Sequence, residues 1–368
     1  MCQTAVGTPT DPARNGDATN DGDAAYQGSA DLVEVRLGAD ASSYYVVFVL
    51  QTMLQPDATV VGLGVSGTSE GGGVGTGLAA YRHVPQVAPT GATLDGAAVV
   101  SRIDPAANTI EARIPRGALP AGAWNVAAAA GRWTGTAWGA VTDLAPVPAE
   151  PTVGTPNCWF ELAQARAIAA GSYPSTAVDS SLLGGGYSAA ASIPRGPQVR
   201  MYYPHIHIGE GVVGQPRYGQ NAAAKIYRGL LQPYAAYLPE SYDPARANPL
   251  VLLLHCLNCT HDVYYSSSWP GLARLADSRG APIVTPLAYG EGGHYEGEAE
   301  WDVFEVLADM SARFRLDRDR FYLSGMSMGS LGTFRLGLPY PDMWARTFAP
   351  LLGLPRPLPR PVAHGTDS

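Results

Sequence analysis

From Asp31 to about residue 150 the chain alternates apolar and polar positions with a period of two. Val33, Val35 and Leu37 fall on one side of an extended segment and Glu34 and Arg36 on the other. Successive Cβ atoms of a strand point to opposite faces, so this is the pattern of a half-buried strand. Residues 44–50 and 60–65 are further apolar runs of strand length. Ile110, Ala112 and Ile114 alternate with Glu111 and Arg113, and residues 124–130 form a weaker run of the same kind. Short strands punctuated by Gly, Pro and Asp, with hardly any helical period, predict an antiparallel β-sandwich over residues 29–148.

Residues 1–28 are polar and read as a flexible arm. Asp17, Asp21 and Asp23 surround Gly22 there, but Gly28 stands where the closing Glu of a calcium loop would be, so a solvated arm is the reading. The glycine-rich run 69–77 is followed by no helix and no Lys-Ser/Thr pair, which makes it a hairpin loop rather than a phosphate cradle. The Pro-rich stretch 146–156 reads as a linker.

Residues 149–230 form a linker and irregular extension, with a helix predicted at 160–170, a loop at 184–192 and a strand at 199–208. On that strand His205 and His207 would share one face, a metal-ligand spacing without a third ligand, and no metal site is assigned. From residue 231 to 368 the rhythm becomes α/β. Strands at 235–238, 250–255, 282–285, 321–323 and 346–349 alternate with helices at 269–278, 302–314 and 330–338. Val303, Val306, Leu307, Met310 and Phe314 recur at spacings of three and four, the apolar stripe of an amphipathic helix. Strands alternating with helices predict crossovers and a mostly parallel sheet.

Between the last strand–helix pair lies Gly325-Met326-Ser327-Met328-Gly329. A serine at the apex of a strand-to-helix turn is lifted clear of the sheet, and glycines on both sides let the strand and helix close on it. Ser327 is therefore the candidate nucleophile, and the Met328 N–H at the helix start a candidate oxyanion donor. The second donor is expected on the loop after the buried strand 250–255, where the Leu257 N–H is the candidate. His255 and His261 on that loop, and His294 in the acidic run 289–301, are possible pocket residues. The carboxylates Glu291, Glu296, Glu298 and Glu300 either line the pocket mouth or form a solvated loop. Cys256 and Cys259 are read as a loop disulfide or as two unpaired thiols.

Only 15% of the residues are charged, while Gly (43) and Pro (31) abound, which favours a loop-rich β-containing protein over a helical bundle. The net charge of −8 argues against nucleic acid or an anionic membrane surface as partner. No uninterrupted apolar run approaches a membrane-spanning length. The N-terminus lacks a basic and apolar signal-peptide pattern, so the expectation is a cytoplasmic protein or one whose export signal is missing. No cofactor is required by any motif.

The block from Tyr234 to Pro350 resembles secreted bacterial α/β-hydrolases of the esterase and prolyl-oligopeptidase-like group, which includes polyhydroxyalkanoate-depolymerase-type enzymes. The resemblance rests on Tyr237-Leu238-Pro239, the strand into Leu254-His255, Trp301-Asp302-Val303-Phe304, Leu323 to Gly329, and Tyr340-Pro341-Asp342-Met343-Trp344. It implies an α/β-hydrolase fold, a Ser/Asp/His triad with Ser327 as its serine, a small or polymeric ester as substrate, and secretion. The resemblance also makes the sandwich an accessory module that binds a polymer or carbohydrate. The strands that would carry the triad acid and base have no place after Gly329, so the expected domain is C-terminally truncated. His364 and Asp367 stand in a Pro-rich tail, in reversed order. Three functions follow: a serine esterase working through an acyl-enzyme, a serine peptidase of prolyl-oligopeptidase type, and an inactive truncated product that only binds.

Overall fold

The computed structural model describes residues 30–146, 159–184, 195–214, 225–257, 259–265 and 269–350. The period-two segments become strands β1 (Leu32–Ala39), β2 (Ser43–Leu50), β3 (Thr59–Gly67), β4 (Pro85–Ala88), β5 (Gly91–Leu94), β6 (Ala97–Asp104), β7 (Thr109–Pro115), β8 (Ala123–Trp133) and β9 (Trp138–Ala145). After helix α1 (Trp159–Ala170) comes β10 (Thr176–Asp179). Strands β4, β5, β6, β9 and β10 were not predicted, because they are short or mixed in composition and gain their order from neighbours.

These strands form one continuous antiparallel sheet, in the order β1-β2-β7-β6-β5-β4-β3-β8-β10, with β9 paired to β8. A single hydrogen-bonded path joins all ten strands, so the expected antiparallel sandwich is not clearly seen as two separate sheets. The path curls back over one core. Tyr44 on β2 and Trp124 on β8 lie far apart along it, yet their rings meet edge to face with centroids 4.8 Å apart. Phe48, Ile110 and Ile114 share that core with Val61, Leu63 and Val126. The run 69–77 lies, as expected, in the loop of a hairpin: it belongs to the connection between β3 and β4, which pair antiparallel, and it leads into a short 3₁₀ turn, Gly77–Ala80.

The second sheet contains β11 (Gly196–Tyr202), β14 (Gln232–Leu238), β15 (Asn248–Leu254), β16 (Ile283–Pro286), β17 (Leu316–Gly325) and β18 (Arg346–Phe348), in the order β11-β14-β16-β15-β17-β18. A small ribbon of β12 (Gly211–Gly214) and β13 (Lys225–Arg228) stands apart from it. The expectation of a mostly parallel sheet does not hold. Strands β16, β15, β17 and β18 run parallel, but β14 joins β16 and β11 joins β14 antiparallel, and across the chain antiparallel pairing dominates. Period and crossover arguments say nothing about strands that reach the sheet edge by other connections.

Helices α2 (Trp269–Arg279), α3 (Glu298–Arg313) and α4 (Met328–Gly337) cover this sheet. Val303, Val306, Leu307 and Met310 of α3 pack with Leu250, Leu252 and Leu254 of β15 and Leu323 of β17. Ala276 of α2 meets Tyr237, Leu253 and Ile283 on the opposite face. Alternate residues of β15 thus feed two cores, which explains its nearly continuous apolar run. The predicted strand at 199–208 stops at Tyr202. His205 and His207 therefore share no strand face, and they pair separately with Glu305 at 2.6 Å and Glu210 at 4.0 Å.

Segments flanking the strands of the two sheets meet through polar contacts. The Leu230 N–H donates to the Gln51 carbonyl at 3.2 Å, and Asn108 Nδ2 donates to Glu210 Oε2 at 3.0 Å. Trp124 is the largest fully buried side chain of the first core, and its Nε1–H donates to the Pro120 carbonyl at 2.8 Å. Trp124→Ala is expected to cost ~3–5 kcal/mol. Urea unfolding followed by circular dichroism reads this loss.

Candidate active site

Strand β17 ends at Gly325 and α4 begins at Met328, so Ser327 lies at the apex of the turn between them. Its backbone is left-handed, with φ 56° and ψ −112°, and its side chain is exposed. The two glycines are fixed by contact distances. A Cβ on Gly325 would lie 2.4 Å from the Gly329 carbonyl oxygen, and one on Gly329 would lie 2.0 Å from that of Leu254. No side chain fits there, so the chain reverses within one residue of Ser327 only because both flanks are bare. The Met326 N–H donates to the Leu254 carbonyl at 3.1 Å, and the Ser330 and Leu331 N–H groups donate to the Ser327 carbonyl at 2.9 and 3.3 Å. The Met328 N–H has no acceptor among the described residues, and it points the positive end of α4 at the serine.

The loop after β15 meets this turn directly. Gly329 approaches the carbonyls of both Leu254 and His255, so the residues from Cys256 onward leave the sheet beside the serine. Cys256 and Cys259 form a disulfide with Cα atoms 5.1 Å apart, which resolves the two alternatives and closes a tight loop around Leu257. The Leu257 N–H also lacks an acceptor among the described residues, while the Cys259 N–H donates to the Cys256 carbonyl at 3.1 Å.

His255 is fully buried, and burial lowers its imidazole below the ordinary histidine range. Its Nδ1 lies 2.9 Å from the Cys256 carbonyl and its Nε2 2.9 Å from that of Leu287. The neutral ring carries one N–H and donates to one of these two carbonyls, so it is a buried packing element between them and not a proton carrier for Ser327. His261 is also fully buried, next to Asp262, and so lines no open pocket. His294 is half-buried at φ 51°, and burial, followed by the nearby Arg335, lowers its imidazole.

The acidic run is neither a free pocket mouth nor a solvated loop. Glu298 pairs with Arg228 at 2.8 Å, Glu300 accepts the Tyr340 hydroxyl at 2.8 Å, and Glu296 pairs with Arg335. Arg335 Nη1 also donates to the His294 carbonyl at 2.7 Å, tying this loop to α4. The Tyr295 hydroxyl donates to the His255 carbonyl at 3.1 Å, and its ring occupies the space that a Cβ on Gly332 would enter, 2.4 Å away. The Tyr264 hydroxyl donates to the Leu254 carbonyl at 2.8 Å.

Sequence reasoning named Asp302 only within the resemblance and gave it no site role. It is fully buried on α3, accepts from the Tyr202 hydroxyl and from the Ala288 N–H at 2.5 Å, and burial raises its carboxyl to about 7. Its one sequence signal was an acid on the buried side of an amphipathic helix, next to Val303. Among the described residues no group of three or more His, Cys, Asp or Glu could hold a metal ion. His364 and Asp367 lie outside the described residues.

No model of a known protein family matches the chain. A 148-residue stretch is 31% identical to the bifunctional acetylxylan esterase/xylanase XynS20E of Neocallimastix patriciarum. That match covers 36% of this chain and 20% of the relative, so the chain spans about a fifth of the curated protein it matches. Solved structures similar to part of the chain include the Staphylococcus aureus fluorophosphonate-binding serine hydrolase FphF, at TM-score 0.28 and 20% identity over 42% of this chain and 56% of that one. The feruloyl esterase module from Clostridium thermocellum, as its S954A mutant, gives TM-score 0.31 and 16% identity over 43% and 54%. One is a serine hydrolase and the other an esterase module, and a likeness at these TM-scores places neither the fold nor the site of this chain.

Two outcomes test this geometry. Gly329→Ala forces a Cβ into the Leu254 carbonyl and is expected to cost at least ~3 kcal/mol, whereas Gly271→Ala, with open space around it in α2, should stabilise by ~0.5–1 kcal/mol in the same denaturant titration. The second concerns pH. Folding raises the Asp302 carboxyl from 3.8 to about 7, so the native state keeps a proton that the unfolded chain has released, and stability falls as pH rises through that interval. Asp302→Asn should flatten this part of the melting temperature against pH curve.

Proposed function

We propose that this chain is the core of a serine hydrolase that cleaves carboxylic esters through an acyl-enzyme on Ser327. The observation that carries the reading is the left-handed Ser327 at a strand-to-helix turn whose flanks admit only glycine. Ser327 Oγ adds to the ester carbonyl carbon. The oxygen that becomes negative is met by the N–H groups of Met328 and Leu257, which have no acceptor among the described residues. Collapse breaks the ester C–O bond, the departing alkoxide takes up the proton that Ser327 Oγ gave up and leaves as the alcohol, and water then hydrolyses the acyl-serine to the free acid and the serine. His255 is a buried packing element rather than the general base of this scheme.

The partial match to a bifunctional acetylxylan esterase/xylanase supports an ester over a peptide as substrate. A small or polymeric ester outside the cell is the setting that this reading and the secreted-hydrolase resemblance share. No described helix is long and apolar enough to cross a membrane.

A fluorophosphonate probe is expected to label the wild-type chain, with Ser327→Ala abolishing the label, and p-nitrophenyl acetate turnover should fall with it. An unlabelled wild-type chain that is folded by circular dichroism overturns the proposal and favours a binding role.

A further inference from the structure

The turn after β16 is held from inside the protein. The Asp302 carboxylate accepts the Tyr202 hydroxyl from β11 and the N–H groups of Ala288 and Tyr289 from the turn, the first of these N–H bonds at 2.5 Å. Ala288 and Tyr289 both stand at positive φ, 56° and 54°, a region that side-chain-bearing residues seldom adopt unless their surroundings fix them. The preceding residue, Leu287, gives its carbonyl to His255 Nε2 at 2.9 Å, and Nδ1 of the same ring lies 2.9 Å from the Cys256 carbonyl. The buried His255 ring is therefore wedged between this turn and the peptide that precedes Leu257, hydrogen-bonded to one of the two carbonyls and packed against the other.

We propose that Asp302 is a positioning residue for the oxyanion side of the site: by fixing the 287–290 turn it sets the His255 ring, and through that ring the backbone carrying the Leu257 N–H. This inference rests on the ester-hydrolase reading of Ser327. The groups facing Asp302 and its turn are Tyr202 from β11, Tyr289 in the turn, Glu298 and Glu305 on α3, and Arg228 on β13. Glu305 is in turn held by His205. As a carboxylate Asp302 accepts all three donors. Once protonated it must give up one acceptor position and present a donor, so the clamp loosens as pH falls through about 7. Labelling of Ser327 should therefore rise through that pH.

The test compares hydrogen–deuterium exchange of the backbone at 255–257 and 287–290 with the rate of fluorophosphonate labelling, using the full chain. Asp302→Asn is expected to speed exchange in both segments and slow labelling by about tenfold or more. Asp309→Asn, elsewhere on α3, should change neither. Tyr202→Phe removes a donor that favours the ionised carboxylate, so it should move the midpoint of the labelling profile to higher pH, which a merely structural role would not do. Faster exchange at 287–290 with no change at 255–257 overturns the inference, as does an unmoved midpoint in Tyr202→Phe. Should the wild type resist the probe altogether, the ester-hydrolase reading fails, and exchange at 255–257 alone decides whether Asp302 positions that loop. If Asp302→Asn does not fold, Tyr202→Phe carries both readouts.

Discussion

The close approach of α4 to the end of β15 is the constraint on which the rest of the site depends. The Leu254 carbonyl sits where a Cβ on Gly329 would be, accepts the Met326 N–H, and accepts the Tyr264 hydroxyl. One oxygen thus joins the end of a buried strand, the serine turn and the loop behind the disulfide. Because that contact leaves no room for a side chain, the helix can start only at Met328, and Ser327 must take the left-handed backbone that exposes its hydroxyl. The positive end of α4 and the Met328 N–H, without an acceptor among the described residues, then fall beside the serine without further adjustment.

Around this contact, a chain with few charges spends several of them on geometry. Arg228–Glu298 and Arg335–Glu296 are half-exposed pairs, each worth about 0–1 kcal/mol in stability. Their value lies in where they hold the 289–301 run, which also carries His294 and Tyr295 at positive φ. Asp302 works in the opposite sense. Burying its carboxyl costs stability above the pH at which the unfolded chain ionises, and the return is a fixed turn at the carboxyl end of β16. Strain and buried charge gathered on one side of the sheet are what a site held in one shape requires.

Much of this was legible in the residues themselves. The period-two runs marked β1, β2, β3, β7 and β8, and the spacing of Val303, Val306, Leu307 and Met310 marked α3, because each pattern is imposed by burying one face of a regular backbone. Gly325 and Gly329 marked the turn, because glycine is demanded wherever a backbone passes closer than a Cβ allows. Short strands such as β4 and β5 carry too few residues for a period, and β11 shows none of its antiparallel pairing in its own composition. Their order comes from partners distant in sequence.

The sequence by itself determined which stretches are extended or helical and that Ser327 stands at a strand-to-helix apex, since local sterics and periodicity suffice for both. Only the tertiary structure decided that one hydrogen-bonded path joins all strands of the first module, that the second sheet is mixed, and that Glu296, Glu298 and Glu300 are held by Arg335, Arg228 and Tyr340. It alone showed that the buried His255 ring lies between two backbone carbonyls and that Asp302, given no site role in the sequence reading, holds the turn that supplies one of them. Those facts concern residues that meet through space, and hydrogen-bond partners separated by tens of positions leave no periodic trace along the chain.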